Sequence, residues 1–165
     1  MLTDTSALTK LVVRAAATSE AAKRLAVEFG QSRIDRDALV CGSRPGEWMV
    51  IGEETAVGAV THRLELGETV SVIDLTHGRA LLRVSGEAAA STLEKICSLD
   101  FTDRMTPDGA VTSASVARVT CDLIRNDLDG VPSYLLACDR SFGQYLFDAV
   151  LDAGEEFSIA VGISL

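Results

Sequence analysis

The chain has 165 residues, 47% apolar and 24% charged with only 3 prolines, a composition that builds a real core and excludes a disordered or low-complexity chain. Lys and Arg number 15 against 24 Asp and Glu, so the net charge of −9 excludes a broad phosphate-binding surface, and with it nucleic acid as a partner. No apolar run approaches about 18 residues, so no membrane span is expected, and the start Met1-Leu2-Thr3-Asp4-Thr5 reads as lacking a secretory leader.

The 4 cysteines at 41, 97, 121 and 138 are far apart and form no Cys-x-x-Cys pair, which reads as reduced, mostly buried thiols in a cytoplasmic protein. Charge is spread unevenly. Residues 1–46 hold seven basic and five acidic groups, or +2, which leaves −11 on residues 47–165. Two readings stand: an acidic face open to a basic partner, or ordinary solubilising charge.

In chain order, Leu11-Val12-Val13 inside residues 9–15 marks a strand. Thr18-Ser19-Glu20 opens a helix with Ala22, Leu25, Ala26 and Phe29 on one face and Gly30 as its stop. Residues 31–46 read as a polar stretch ending in the turn Arg44-Pro45-Gly46, and residues 47–52 as a strand. Residues 53–65 predict a helix carrying Val57, Val60 and Leu64 on one side, ended by Gly67. Residues 69–75 and 79–85 alternate as two strands around Thr76-His77-Gly78 and predict a hairpin. A third helix is expected from Gly86 to Cys97, with Ala89, Leu93, Ile96 and Cys97 as its stripe.

Thr106-Pro107-Asp108-Gly109 has turn chemistry, and strands follow at about 111–119, 119–126 and 132–138, the first two continuous through a bend or separate. The last helix, 141–153, has an apolar face of Phe142, Tyr145, Leu146, Ala149, Val150 and Ala153 opposite Gln144, Asp148 and Asp152; residues 157–163 read as a closing strand. The stretches 48–75 and 134–163 thus repeat strand, helix, strand. The fold class expected is α+β, with mixed and antiparallel sheets covered by helices, in one domain of two small lobes at about 1–66 and 67–165.

Neither Gly-x-Gly-x-x-Gly nor Gly-x-x-x-x-Gly-Lys-Ser/Thr occurs, so no dinucleotide or triphosphate cradle is expected, and no cofactor site on this chain. His62 lies in a predicted helix and His77 at a turn, neither near a cysteine or carboxylate cluster, so no metal site is expected. Ser85 and Ser141 lack the surroundings of a nucleophile elbow. The candidate catalytic residue is Asp122, within the strand-like run Val119 to Ile124. A carboxylate there either has a raised pKa and moves protons, or is hydrogen-bonded to backbone or paired with Arg118 or Arg125.

Residues 71–154 resemble the folate-binding superfamily of the glycine cleavage T-protein, an aminomethyltransferase. The residues that carry this are Val72-Ile73-Asp74-Leu75-Thr76-His77-Gly78, Leu82 to Ala89, Leu93 to Asp100, Pro107-Asp108-Gly109 and Cys121-Asp122-Leu123-Ile124. Within that superfamily, Pro45-Gly46-Glu47-Trp48-Met49-Val50-Ile51, Cys97-Ser98-Leu99-Asp100 and Arg140 to Leu146 are similar to the gamma subunits of heterotetrameric sarcosine oxidases.

The resemblance implies a T-protein-like fold and a role as the gamma, assembly component of a complex that converts sarcosine or a related N-methyl amino acid to a glycine-type product. Its alpha, beta and delta partners are then expected to hold NAD, FAD, FMN, zinc and tetrahydrofolate. The alternative it leaves is a stand-alone folate-dependent aminomethyltransferase or folate-binding regulator. Asp122 falls where the T-protein has the second of two adjacent aspartates implicated in folate chemistry, and Cys121 replaces the first. The T-protein's early Asp-x-x-Gly-Trp segment and its C-terminal half have no counterpart in the resemblance, so a complete folate pocket is not expected.

Overall fold

Each sheet of this protein is laid down by the same order of elements. The computed structural model describes residues 1–64 and 70–162, and the chain divides into one unit of Ala7–Gly78 and another of Met1–Ser6 with Arg79–Leu165. The break expected near residue 67, and Gly67 as a helix stop, lie outside the described residues.

In the Ala7–Gly78 unit, β2 (Thr9–Arg14), β3 (Ser32–Asp35), β4 (Ala38–Arg44), β5 (Glu47–Gly52) and β6 (Ser71–Asp74) form a sheet in the order β3-β4-β5-β2-β6. The short strand β1 (Leu2–Asp4), which sequence did not suggest, belongs to the other sheet. Helix α1 (Glu20–Leu25) starts where the Ser19 hydroxyl accepts the Ala22 N–H at 3.1 Å. It stops at Ala26, in the left-handed region at φ 49°, four residues short of Gly30.

The early stop has a physical cause. The chain after Ala26 lies directly on β4, where a Cβ on Gly42 would come within 2.1 Å of the Glu28 carbonyl oxygen. Gly30 N–H donates to Gly42 O at 2.9 Å and Gly42 N–H to Gln31 O at 2.8 Å, so the chain turns at Phe29–Gly30 against β4 and Phe29 is exposed rather than on a buried helix face.

Residues 31–46 are not a polar loop. They contain the β3–β4 hairpin, which turns on Arg36 and Asp37, both at positive φ (51° and 64°) and without the glycine that usually announces such a turn. Helix α2 (Glu54–Thr61) continues as a 3-10 turn over His62–Leu64, and it buries Val57, Val60 and Leu64 as its spacing predicts. Together with Leu25, Val13 and Val50 they enclose Trp48, whose Nε1–H donates to Val27 O at 2.8 Å. The sole tryptophan is a core residue.

The second unit contains β1, β7 (Arg79–Ser85), α3 (Ala89–Glu94), β8 (Val111–Val116), β9 (Val119–Arg125), β10 (Ser133–Asp139), α4 (Gly143–Ala153) and β11 (Val161–Gly162), with sheet order β11-β1-β7-β10-β9-β8. From β2 and from β7 the elements follow one another identically: strand, helix, three strands, helix, strand. The sheet orders also agree, except that β1 enters between β7 and β11. β5 and β6 each pair antiparallel with β2, so they run parallel to each other, and α2 supplies the crossover such strands need. β10 and β11 are related through α4 in the same way.

Two further expectations change, and one alternative left open is decided. The strands at 69–75 and 79–85 are not a hairpin: β6 pairs with β2, whereas β7 pairs with β1 and β10 in the other sheet. The stretch 111–126 is two strands joined tightly through Ala117 and Arg118, both at positive φ (48° and 68°). The closing strand narrows to Val161–Gly162 after a 3-10 turn at Glu155–Phe157, and residue 163 lies outside the described residues.

The third helix is shorter than its stripe, yet Ala89, Leu93 and Cys97 are buried as expected. On α4, Leu146, Val150 and Ala153 face the core, and Gly143 lies so near Ala80 of β7 that a Cβ there would meet it at 2.8 Å. Phe142 and Tyr145 are exposed instead, because residues 140–142 form a 3-10 turn ahead of the helix and Tyr145 shares its outward side with Asp148 and Asp152.

Trp48→Ala is expected to destabilise the isolated chain by about 3–5 kcal/mol, since it empties a filled core position and orphans the Val27 carbonyl. Urea unfolding followed by circular dichroism reads the change; a loss below about 1 kcal/mol would contradict a core role.

Candidate functional site

Strand β9 alternates. Cys121 and Leu123 point into the core with Leu136 and Leu146, which puts Asp122 and Ile124 on the opposite face of the sheet. On β7, Ala80, Leu82 and Val84 likewise face the core, and Arg79, Leu81 and Arg83 share the side of Asp122. Asp122 is 3% exposed. A carboxylate so enclosed needs a counter-charge or a proton.

The counter-charge is Arg79. Its Nη2 donates to Asp122 Oδ2 at 2.6 Å and also to Ala137 O at 2.8 Å. Asp122 is the register partner of Ala137 on β10, and Asp139 of the same strand is the partner of Arg79 on β7. The guanidinium therefore reaches diagonally across β10, tying three adjacent strands at one point. Its Nε is buried without an acceptor, a cost accepted for that reach.

The sequence offered Arg118 and Arg125 as partners of Asp122, and neither is used. Arg125 is held by Asp127, with Nε and Nη2 each 3.0 Å from a carboxylate oxygen, and Nη1 donates to Asp103 at 2.6 Å and Thr106 O at 2.7 Å. The hydrogen bond to Asp127 raises its pKa above the ordinary guanidinium value. Arg83 binds neutral acceptors, Ser133 Oγ at 2.6 Å and Asn126 Oδ1 at 3.2 Å, and burial lowers its pKa.

Cys121, which stands in place of the first T-protein aspartate, is buried in the core on the side away from Asp122. A hydrogen bond with the neighbouring Cys138, then burial, push its thiol pKa far up. His62 and His77 are exposed at the end of α2 and in the 76–78 turn, and Ser141 donates its N–H and hydroxyl to Asp139, which caps the 3-10 turn at residues 140–142. Among the described residues no group of three or more His, Cys, Asp or Glu is placed to hold a metal ion.

Two positions carry the resemblance to the adjacent aspartates of the T-protein, and both are engaged within this chain. The second aspartate is occupied by Arg79, and the first is replaced by a core-facing thiol. Sequence missed Arg79 because it lies 43 residues away, two strands removed, and no local pattern signals a diagonal contact.

Arg79→Leu leaves Asp122 enclosed without its cation and is expected to cost about 3 kcal/mol. Replacing both residues by Leu should recover most of that loss, because an enclosed pair is worth little net of its desolvation. Urea unfolding of the two variants beside wild type tests this, and a double variant as unstable as the single one would contradict it.

Residues 15–164 match the GCVT N-terminal domain family. The sarcosine oxidase subunit gamma of Corynebacterium sp. (strain U-96) is 31% identical over 117 residues, 70% of this chain and 56% of that protein. Human mitochondrial dimethylglycine dehydrogenase is 26% identical over 137 residues, 78% of this chain but 16% of that protein. The chain thus spans about half the gamma subunit and a small part of the dehydrogenase.

Among solved structures, a chain of heterotetrameric sarcosine oxidase from Corynebacterium sp. U-96 superposes with a TM-score of 0.81 at 25% identity, covering 97% of this chain and 86% of that one. The aminomethyltransferase T of the Bartonella henselae glycine cleavage system shares the fold, with a TM-score of 0.72 at 17% identity over 98% of this chain and 46% of that one. This chain belongs to the GCVT N-terminal domain family, on the α+β fold that its sequence predicts.

Proposed function

We propose that this chain is a gamma-type, non-catalytic subunit of a sarcosine-oxidase-like complex. Such a complex oxidatively demethylates sarcosine or a related N-methyl amino acid and passes the one-carbon unit to tetrahydrofolate. Alpha, beta and delta partners then hold FAD, FMN, NAD, zinc and folate, and the assembly works in the cytoplasm. Among the described residues no helix is long and apolar enough to cross a membrane.

The observation that carries this reading is the fit to a sarcosine oxidase chain over nearly the whole length, together with a candidate acid already spent on Arg79. Asp122 then serves as a structural charge rather than as a proton carrier. A general acid or base needs a carboxylate free to reach its substrate, and this one is fixed at 2.6 Å from a guanidinium.

A tagged copy of this chain, co-expressed with the flavoprotein subunits of a sarcosine-oxidase-type complex, is expected to retrieve an FAD-bearing partner in stoichiometric amount. The chain expressed alone is expected to purify colourless. A flavin spectrum on the lone chain, or failure to retrieve any of those subunits, would overturn the reading. Formation of methylenetetrahydrofolate by the lone chain would favour the aminomethyltransferase alternative.

A further inference from the structure

The unit of Met1–Ser6 and Arg79–Leu165 carries fourteen acidic residues against seven basic ones, so most of the chain's negative charge resides there. Part of it is gathered at one place. Tyr145, Asp148 and Asp152 lie at i, i+3 and i+7 on the outward side of α4, and a hollow of about 490 Å³ opens beside the two aspartates. Leu151 and Ile159 form its apolar floor, and Asp148, Asp152 and Glu155 rim it.

The hollow is built. Ile159 lies against Gly154, where a Cβ would come within 2.7 Å of it, and its N–H donates to Gly154 O at 3.2 Å. The Tyr145 hydroxyl donates to Ala117 O at 3.2 Å, which holds the ring in place while the residue stays 54% exposed. Phe142, one turn earlier, is 51% exposed. The Tyr145 ring, already held, costs little entropy to bury against another protein.

The carboxylates are not answered by cations. Asp148 accepts only the amide of Gln144, at 2.9 Å, and the side chains of Asp152 and Glu155 have no hydrogen-bond or ion-pair partner among the described residues. The nearby Lys95 is engaged by Glu156 at 2.9 Å and lies over the Phe157 ring.

We propose that the outward side of α4, from Phe142 and Tyr145 to the Leu151–Ile159 hollow, is the docking surface for a cationic segment of the flavoprotein partner, one whose Lys or Arg residues flank an apolar side chain. The charge complement selects that occupant: the apolar side chain fills the hollow, and the flanking cations meet the rim. A second copy of this chain would bring the same carboxylates to the contact, and like charges repel. The proposal rests on the subunit reading above, because it needs the flavoprotein partner to exist.

The test is association by surface plasmon resonance, with this chain immobilised and the flavoprotein subunits, expressed without it, in solution. Asp152→Lys with Glu155→Lys is expected to slow association at least about tenfold at low salt and to flatten its dependence on salt. Tyr145→Ala is expected to weaken binding by about thirtyfold, the loss typical of a central aromatic anchor. The same two-charge reversal at Glu28 and Glu54, in the other unit, is expected to leave association within about twofold.

All four replaced acids are exposed, and unchanged thermal melts of the lone variants establish that the fold is kept. If wild type binds and the α4 variants bind equally well, the docking surface is wrong and the subunit reading stands. The surface is also wrong if the control reversal weakens binding as much. If wild type itself does not bind, the subunit reading falls and the surface with it.

Discussion

Asp122 sits in the interior of β9 with its carboxylate enclosed, and a charge in that position persists only where a counter-charge is brought to it. Arg79 does this from two strands away, and its second hydrogen bond, to the Ala137 carbonyl, anchors the same guanidinium to the strand between. The pair thus joins β7, β10 and β9 on the face opposite the helices. It fixes the register of three strands through side chains as well as through backbone, and it leaves the carboxylate engaged. Everything inferred about chemistry on this chain depends on that engagement.

The repeated element order explains why so short a chain builds two sheets. Each repeat places two helices on one face of its sheet, filling the core with small and aliphatic residues such as Ala21, Leu25, Val57 and Val60 in one case and Ala89, Leu93, Leu146 and Val150 in the other. The departures from regularity mark what each repeat is adapted to do. Gly42 lets the Glu28–Phe29 backbone lie on β4, next to the Val27 carbonyl that accepts from Trp48, and Gly154 lets Ile159 lie on the end of α4, beside the acidic hollow. The first shapes a core and the second a surface.

Helices with a clean apolar stripe were legible in sequence. Val57, Val60 and Leu64, and Leu146, Val150 and Ala153, are buried where their spacing puts them, because burial of one face is what makes such a helix stable. Turns without glycine were not legible. Arg36-Asp37 and Ala117-Arg118 reverse the chain at positive φ, a conformation their residue types disfavour and only the flanking strand pairing imposes. Pairing between distant strands was equally hidden: β6 and β7 are neighbours in sequence and belong to different sheets. The candidate acid was legible as an oddity, an aspartate inside a strand. Its partner was not, since a diagonal contact over 43 residues leaves no local pattern. Periodicity puts Tyr145 on the apolar side of α4 because an aromatic ring counts as apolar, whereas its hydroxyl is satisfied at the surface by Ala117 O.

The most direct measurement is steady-state turnover of the assembled flavoenzyme with Asp122→Asn in this subunit, using sarcosine as substrate and assembly checked by gel filtration. A structural charge predicts turnover within about tenfold of wild type, because the amide keeps the shape of the carboxylate and no proton passes through it. A loss of about a hundredfold or more with assembly intact, the size of an essential general acid or base, would contradict a non-catalytic subunit and place Asp122 in the reaction.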